Sequence, residues 1–311
     1  MDRSKWSKRA LAAYFVIFTA VMYLPMLLMA ILSFQAERGL PYFPMQGFSG
    51  HWWKALFDDA IPGSHADEIR SAAITSIELA LVVGAVTSVL ALTLSMAFRR
   101  RFRGDGVLFY LIMLGLMTPG ILLSLGTQLF WQLVPGNPGT WSTVLGTNVV
   151  WALPFGFLVM VAVWNRYDRR VEEASRDLGA SSVRTFREVT LPLVWTGLFG
   201  AFLFGFTLSW NEYDRTAALI SSGQLTLPIQ IFSLTVGAVI RPDLYALGTA
   251  TTAFILVIIV IVLILVAIRI RRRQVGVPLE AQVAEELGEV AGIDAAADPL
   301  EPGAAAGVRA R

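Results

Sequence analysis

The sequence contains no cysteine and few ionisable side chains. Only two of the 311 residues are histidine, and charged residues make up 15% of the chain. Without cysteine there can be neither disulfide bonds nor thiolate metal sites. The two histidines, His51 and His65, are too far apart in sequence to form a typical metal-binding motif. No arrangement of nucleophile, base and acid is recognisable either. We therefore predict no metal site and no catalytic residue, which argues against a membrane enzyme.

A phosphate-binding loop of the form G-x-x-x-x-G-K-[ST] is also absent from the sequence. That loop cradles nucleotide phosphates with its backbone amides, so a chain without it is not expected to hydrolyse ATP by itself. We predict that the chain binds no cofactor. No nucleic-acid partner is expected.

Long apolar segments are abundant. Hydrophobic residues form 55% of the chain, and the mean hydropathy is +0.61. A helix needs about 20 apolar residues to cross the hydrocarbon core of a membrane, and lipid offers the backbone no hydrogen-bond partners, so such segments must be helical. The sequence thus predicts an all-α, multi-pass membrane protein with six transmembrane helices, at roughly 11–33, 72–98, 107–133, 143–164, 193–220 and 244–268.

The distribution of lysine and arginine predicts the orientation. If the N-terminus is cytoplasmic, eighteen cations fall on the cytoplasmic side and four on the outer side. Because positive residues concentrate in cytoplasmic loops, both termini are expected inside the cell. The first apolar segment could instead be a cleaved signal peptide, but it is too long for a typical one.

The segments outside the helices differ in composition. The outer loop 34–71 is rich in aromatic residues and is expected to lie along the membrane interface or to form a docking surface for a binding protein. Residues 274–311 are dominated by alanine, glutamate, glycine and proline, so we expect a disordered cytoplasmic tail. The predicted organisation is a cytoplasmic N-terminus over 1–10, a membrane domain over 11–273 and this tail.

The most informative segment is the loop 165–192, which the orientation places in the cytoplasm. From Glu173 to Pro192 it reads E-A-S-R-D-L-G-A-S-S-V-R-T-F-R-E-V-T-L-P. The pattern predicts two short helices, with Gly179 ending the first in a left-handed conformation and Ser181 capping the second. Pro192 suits the first turn of the next membrane helix. An alternative is an amphipathic helix held on the inner leaflet by Arg184 and Arg187.

This spacing resembles the E-A-A-x-x-x-G-x(9)-I-x-L-P loop of permease subunits in binding-protein-dependent ABC importers. In that family the loop sits in a groove of a cytoplasmic ATPase subunit and couples ATP-driven closure to the membrane helices. The resemblance implies that Glu173 makes a polar contact with the ATPase, that Ala174 and Gly179 permit close approach, and that Leu178 and Phe186 fill apolar pockets. The positions that match the motif or take these roles are Glu173, Ala174, Ser175, Leu178, Gly179, Phe186, Leu191 and Pro192.

A second resemblance concerns the segment after the fifth apolar run. The sequence L-P-I-Q-I-F-S at 227–233, followed by P-D-L-Y-A-L-G-T at 242–249, is similar to the pattern of spermidine/putrescine-type permeases. This resemblance implies a polyamine or another small cation as the transported solute. The segment S-W-N-E-Y at 209–213, however, has a form frequent in sugar permeases, so another small solute is the alternative.

Three acidic residues fall within the apolar runs, namely Glu78, Glu212 and Asp214. An ionisable group in a membrane helix normally faces a partner or a water-filled path. Carboxylates at this depth would suit a cationic solute, and Trp210 and Tyr213 could add cation–π contacts. We therefore predict that these five residues line a substrate path. The alternative for Glu212 and Asp214 is pairing with Arg215, and the alternative for Glu78 is a side chain that reaches the outer membrane interface.

The resemblance implies the fold of a type I ABC importer permease in the bacterial inner membrane. It also implies, as partners beside the lipid bilayer, an ATPase dimer that binds ATP and magnesium, a second permease subunit in a heterodimer and an extracytoplasmic substrate-binding protein. A secondary transporter is the rival class, although the six runs show no clear internal repeat.

Overall fold

The computed structural model describes residues 3–37, 42–61, 64–133, 140–220, 225–236 and 242–274. The expected tail lies outside the described residues from position 275 onward. Regular structure is helical throughout the described ranges: α1 (Arg3–Leu32), α2 (His51–Ala55), α3 (Ala66–Phe98), α4 (Asp105–Met117), α5 (Gly120–Leu133), α6 (Thr140–Trp164), α7 (Arg170–Asp177), α8 (Ser182–Thr185), a π-helical turn (Phe186–Thr190), α9 (Leu191–Trp210), α10 (Asp214–Ala217), α11 (Leu227–Thr235) and α12 (Pro242–Gln274).

The chain divides into two compact units, Met1–Ile255 and Leu256–Arg311. The first contains α1 to α11 and the beginning of α12. The second is described over the remainder of α12, which is apolar as far as Ile268 and then basic. α1 begins at Arg3, so helical structure extends into the segment 1–10 that the sequence assigned to a separate N-terminus.

Five helices are long and apolar enough to cross a membrane, namely Lys8–Leu32, Ala66–Phe98, Trp141–Trp164, Ser182–Trp210 and Pro242–Arg269. The bent pair α4 and α5 supplies a sixth crossing if it is counted as one span. The all-α fold with six membrane segments is therefore confirmed. The fifth helix ends earlier than the apolar run 193–220 indicated, because the chain turns after Trp210 into the short helix α10.

The third apolar run is not one continuous helix. α4 and α5 meet at an angle of 107°. Thr118 adopts an extended conformation with φ −75° and ψ 120°, which is the region favoured for a residue before proline. Pro119 also lacks the N–H that would continue the helical hydrogen bonds. The proline thus breaks the run, and α5 turns so that Gly120 contacts the side chain of Arg215.

Helices α3, α6 and α9 pack on one another and form the centre of the first unit. Two apolar clusters fill the space between them. One contains Leu79, Val83, Val144, Val149 and Ala152, and the other contains Ala91, Leu92, Met160, Val194 and Ala201. Both clusters combine side chains far apart in sequence, so the three helices hold each other in place.

Small residues allow α3 and α9 to approach closely. A Cβ atom at Gly205 would lie 2.8 Å from Cα of Gly84, and a Cβ atom at Gly84 would lie 2.9 Å from the carbonyl oxygen of Phe202. No real Cβ atom tolerates such distances from a backbone. Glycine at these two positions is therefore required by packing, as is common where membrane helices cross closely.

The apolar surface of α1 is exposed. None of the most apolar part of Lys8–Leu32 is buried inside the chain, and Leu11, Tyr14 and Phe15 are each about two-thirds exposed. An apolar helix with no protein cover needs lipid or another protein around it. The outer loop, in contrast, folds back on the residues that directly follow α1, because the indoles of Trp52 and Trp53 donate to the Gln35 carbonyl and to Ser33 Oγ.

Candidate functional site

The cytoplasmic loop 165–192 forms the helix–turn–helix that the sequence predicts. α7 ends at Asp177, and Gly179 has φ +86°, the left-handed region that favours glycine. The Gly179 amide donates to the Arg176 carbonyl at 2.8 Å, and the Ala180 amide donates to the Ser175 carbonyl at 3.1 Å. These two bonds satisfy carbonyl groups at the end of α7. The glycine is thus required by the turn, and the prediction of its conformation is confirmed.

The second helix of the loop begins with the predicted cap. The Ser181 hydroxyl accepts a hydrogen bond from the Arg184 amide at 3.3 Å, as expected of an N-cap serine. A side-chain bond joins the two arms, since Ser175 Oγ lies 3.2 Å from Thr185 Oγ1. The motif position where serine replaces alanine therefore ties α7 to α8, a function that an alanine could not perform.

Several motif residues are exposed on the surface of the loop. Leu178 is 90% exposed, and Glu173, Ala174 and Gly179 are exposed as well. Among the described residues, the Glu173 carboxylate has no ion pair or hydrogen bond. An exposed leucine and an exposed, unpaired carboxylate within one short segment make its surface available for contact with another protein.

Phe186 has a different environment from the exposed motif residues. Its side chain is half-buried and packs against the cluster that contains Met160 and Val194, together with Leu191. Phe186 therefore holds the loop to the helix bundle of its own chain, whereas the resemblance implied an apolar pocket on a partner. Leu191 and Pro192 form the first turn of α9, where the missing N–H of proline costs no helical bond.

An ion pair anchors the loop to the end of α3. Arg99 Nη1 donates to Glu172 Oε1 at 2.9 Å, and both side chains are 13% exposed. Thr190 Oγ1 donates to the same carboxylate oxygen at 2.9 Å. The pair thus joins α3, the start of α7 and the residue before α9. Sequence reasoning did not single out Glu172, and it counted Arg99 only among the cytoplasmic cations.

Two aromatic rings cover the Arg99 guanidinium. Its Cζ atom lies 4.4 Å from the ring centre of Trp164 and 5.0 Å from that of Tyr167, which are cation–π distances. The Trp164 indole is fixed in turn, because it donates to Ser95 Oγ at 2.9 Å. The end of α6 therefore also contacts the Arg99–Glu172 pair. Through this pair the loop is connected to α3, α6 and α9.

This environment changes the acidity of two groups. Burial by itself raises the pKa of Glu172, but hydrogen bonds with Arg99, Thr190 and Tyr167 outweigh it and hold the pKa below its ordinary value. Burial raises the pKa of the Tyr167 hydroxyl. At neutral pH Glu172 is therefore a carboxylate and Tyr167 is a neutral hydroxyl, so the ion pair is fully charged.

A π-helical turn connects the loop to α9. It covers Phe186–Thr190, and α9 follows directly at Leu191. Single π-helical turns are frequent at functional sites because they widen the helix locally. Here the turn lies between the exposed tip of the loop and the membrane helix.

The outer end of α9 contains a buried ion pair. Arg215 Nη1 donates to Glu212 Oε2 at 2.6 Å, and the Arg215 amide donates to Glu212 Oε1 at 2.8 Å. The side chains are only 9% and 6% exposed. The guanidinium lies 3.9 Å from the ring centre of Trp151, and Ser124 Oγ donates to the Arg215 carbonyl at 2.6 Å. The pair thus connects α5, α6 and α10, and Glu212 has the counter-ion that the sequence allowed as an alternative.

The other predicted path residues have separate environments. Glu78 and Asp214 are exposed, and no hydrogen bond or ion pair among the described residues joins either of them to Glu212. Trp210 is buried and lies 4.7 Å from the ring of Phe254. Tyr213 is half-buried, with its ring centre 4.7 Å from that of Phe232.

A second polar region lies at the outer end of α3. A cleft of about 560 Å³ is lined by Asp67, Glu68 and Ser71 from α3 and by Gln230 and Ser233 from α11. Gln230 Nε2 donates to Glu68 Oε2 at 2.7 Å. The segment 227–233, which the sequence singled out, therefore meets two carboxylates that sequence reasoning missed. Their position in the first turn of α3 gave no signal of this contact.

The fold and the loop together define a multi-pass membrane subunit with a cytoplasmic helix–turn–helix held by three membrane helices. The sequence profile of the family described as "Binding-protein-dependent transport system inner membrane component" matches residues 89–275. The chain belongs to this family and is the inner-membrane permease component of an ABC importer. Membership implies a separate ATPase subunit and a substrate-binding protein.

Curated relatives cover most of the chain. It is 29% identical over 239 residues to the spermidine/putrescine transport system permease protein PotC of Haemophilus influenzae, covering 76% of this chain and 88% of the relative. It is 28% identical over 234 residues to PotC of Escherichia coli K12, covering 74% and 83%. Its identity to the putrescine transport system permease protein PotI of the same strain is 28% over 236 residues, covering 73% and 80%.

A solved structure supports the fold. The crystal structure of a bacterial ABC transporter involved in the import of the acidic polysaccharide alginate contains a chain that superposes with a TM-score of 0.60 at 17% identity, covering 85% of this chain and 97% of that one. The likeness confirms the permease fold. It carries no information about the transported solute.

Proposed function

We propose that this permease transports a polyamine, of the spermidine or putrescine type, into the cell. The curated relatives that cover three-quarters of the chain carry out this transport by name. The carboxylates of Asp67 and Glu68 support a cationic solute, because both line the cleft at segment 227–233. Arg70 pairs with Asp67, and Gln230 donates to Glu68, so an entering ammonium group would share these carboxylates with their present partners. Primary ammonium groups bind carboxylates and amide oxygens through charge-assisted hydrogen bonds.

Within this proposal the path residues have two roles. Glu78, Asp214 and Tyr213 have exposed or half-exposed side chains and could contact the passing cation. Glu212 and Trp210 are buried, so they support the path by fixing the corner between α9 and α10. The exposed apolar surface of α1 suits contact with another membrane subunit, and we propose that this subunit is a second permease in a heterodimer.

The ATPase contact is proposed at the tip of the loop. The observation that carries it is the 90% exposure of Leu178 together with the exposed, unpaired carboxylate of Glu173, in a segment anchored through Glu172. Leu178 would enter an apolar pocket of the ATPase, and Glu173 would pair with a cation there. Ala174 and Gly179 would permit the close approach. Ser175 and Phe186 would keep the loop rigid so that ATPase motion reaches α9.

Transport assays test the two parts separately. The complete transporter, with ATPase, partner permease and binding protein, is reconstituted into liposomes, and ATP-dependent uptake of labelled spermidine and putrescine is compared with that of a neutral sugar. Polyamine uptake is expected, and uptake of the sugar alone would show that the proposed solute is wrong.

Co-purification tests the ATPase contact. The double variant Glu173→Gln, Leu178→Ala should no longer co-purify with the ATPase.

A matched control isolates the loop contact. Leu133 is 84% exposed and lies at the end of α5, outside the loop, so Leu133→Ala removes a similar exposed surface. This variant should bind the ATPase as the wild type does. If the two variants lost the ATPase equally, the proposed contact would be wrong even if polyamine transport were established.

A further inference from the structure

A basic cleft lies between the cytoplasmic end of α3 and the loop 165–192. Its volume is about 390 Å³. Four arginines and two glutamates contribute to its lining, namely Arg99, Arg100, Arg169, Arg176, Glu172 and Glu173. The lining therefore has a surplus of positive charge.

Two of the arginines are available to a ligand. Arg99 is paired with Glu172 and covered by Trp164, and Arg169 donates to the Arg99 carbonyl oxygen. Arg100 and Arg176 are exposed, and neither has an ion pair or hydrogen-bonding side-chain partner in the described part of the chain. They come from different elements, the end of α3 and the last turns of α7. An anion in the cleft would thus contact both elements.

The position of the cleft favours a lipid. The membrane span α3 ends at Phe98, and Arg99 and Arg100 follow it directly. Cations that follow a membrane helix on its cytoplasmic side lie near the inner headgroups. Met96 and Phe186 also line the cleft and give it an apolar part. A phosphate attached to an apolar body matches this combination of cations and apolar side chains, and basic pockets at the cytoplasmic membrane surface recognise anionic headgroups.

We propose that the cleft binds the phosphate of an anionic phospholipid of the inner leaflet, with Arg100 and Arg176 as the contacting cations. The headgroup would join the end of α3 to α7 beside the Arg99–Glu172 pair and hold the loop in its present position. The inference is independent of the transported solute, and it requires no contact with the ATPase.

Lipid retention tests the proposal. The full-length chain is purified in phosphatidylcholine nanodiscs, phosphatidylglycerol is titrated in, and the lipid retained after release is counted by native mass spectrometry. Changing Arg100 and Arg176 together to Gln should weaken retention about a hundredfold, because two charge-assisted hydrogen bonds are lost and each contributes roughly a factor of ten. The matched control changes Arg101 and Arg103 to Gln. Both are exposed, lie in the same cationic stretch and do not line the cleft, so retention should remain as in the wild type.

Three outcomes would overturn the proposal. Equal weakening in both double variants would indicate non-specific surface attraction. Displacement of the lipid by millimolar inorganic phosphate would indicate a site for a soluble anion. If the Arg100/Arg176 variant retained the lipid as the wild type does but no longer co-purified with the ATPase, the cleft would be a contact site for the ATPase. If that double variant does not accumulate, Arg100→Gln and Arg176→Gln are measured singly, each expected to weaken retention by roughly tenfold.

Discussion

The guanidinium of Arg99 lies 2.9 Å from the carboxylate of Glu172, although 73 residues separate them in the chain. Both side chains are largely buried, and Thr190 donates to the same carboxylate oxygen. A single carboxylate therefore joins the end of one membrane helix to the start of the cytoplasmic loop and to the residue before the next membrane helix. Movement of the loop is therefore coupled to the end of α3 and to the start of α9 through this carboxylate.

Removing this carboxylate should destabilise the loop. Glu172→Gln leaves a largely buried arginine without its counter-ion, which is expected to cost roughly 2–3 kcal/mol. The matched control is Glu188→Gln, because Glu188 pairs with Arg184 at the same 2.9 Å but both side chains are more than 60% exposed. An exposed pair contributes about 0.2–1 kcal/mol. Melting temperatures of the purified permease give the comparison, and equal shifts would refute an anchoring role.

The same pair predicts a dependence on pH. Since the pKa of Glu172 lies below its ordinary value of 4.5, the folded state favours the carboxylate, and its stabilisation is present above the ordinary pKa. It is lost as the pH falls through the lowered pKa. The difference in melting temperature between wild type and Glu172→Gln should thus be constant above about pH 5 and shrink on further acidification. A difference that grew with acidification would contradict the charged pair.

The turn in the loop predicts sensitivity at Gly179. Alanine there must adopt φ +86°, which costs an L-residue roughly 1–2 kcal/mol. No atom lies within 4 Å of the added Cβ, so the cost is conformational and not steric. Gly179→Ala should reduce co-purification of the ATPase and ATP-driven uptake. Gly126→Ala is the control, because that Cβ also meets open space and the backbone is not left-handed. Similar losses in both variants would show that the turn is not the cause.

The buried pair at the outer end of α9 predicts different effects for two neighbouring acids. Glu212→Gln leaves Arg215 buried without its counter-ion, at a cost of roughly 3–5 kcal/mol, so less permease should assemble. Asp214 is exposed, and Asp214→Asn should preserve assembly while it lowers polyamine uptake. Assembly is measured by co-purification with the partner subunits, and uptake in liposomes. Normal assembly and unchanged uptake in Glu212→Gln would exclude a role for the pair.

The close approach of α3 and α9 gives a packing prediction. Alanine at Gly205 would place its Cβ 2.8 Å from Cα of Gly84, so the helices must separate. Overpacking of this kind costs typically about 1–3 kcal/mol. The comparison variant is Gly146→Ala, where the Cβ meets no atom within 4 Å. Thermal unfolding should occur at a lower temperature in Gly205→Ala only. If both variants melted like the wild type, the helices would not be in contact here.

The sequence alone determined the elements whose causes are local. Apolar length fixed the membrane segments, because lipid leaves the backbone no alternative to a helix. The turn at Gly179 and the cap at Ser181 were also predictable. A left-handed residue and an N-cap oxygen affect only the backbone within a few residues of their own position. Glu212 and Arg215 are three residues apart, and their pairing was accordingly among the alternatives.

Only the tertiary structure decided which distant residues meet. Nothing near Glu172 in sequence indicates Arg99 as its partner, because that contact requires α3 and the loop to be packed first. Pro119 breaks the third apolar run, but the angle of 107° between its two halves and the contact of Gly120 with Arg215 are visible only in the folded chain. The Phe186 side chain packs against its own helix bundle because an apolar cluster of distant residues lies there. Side-chain burial and pairing depend on packing between helices, and that information is distributed over the whole chain.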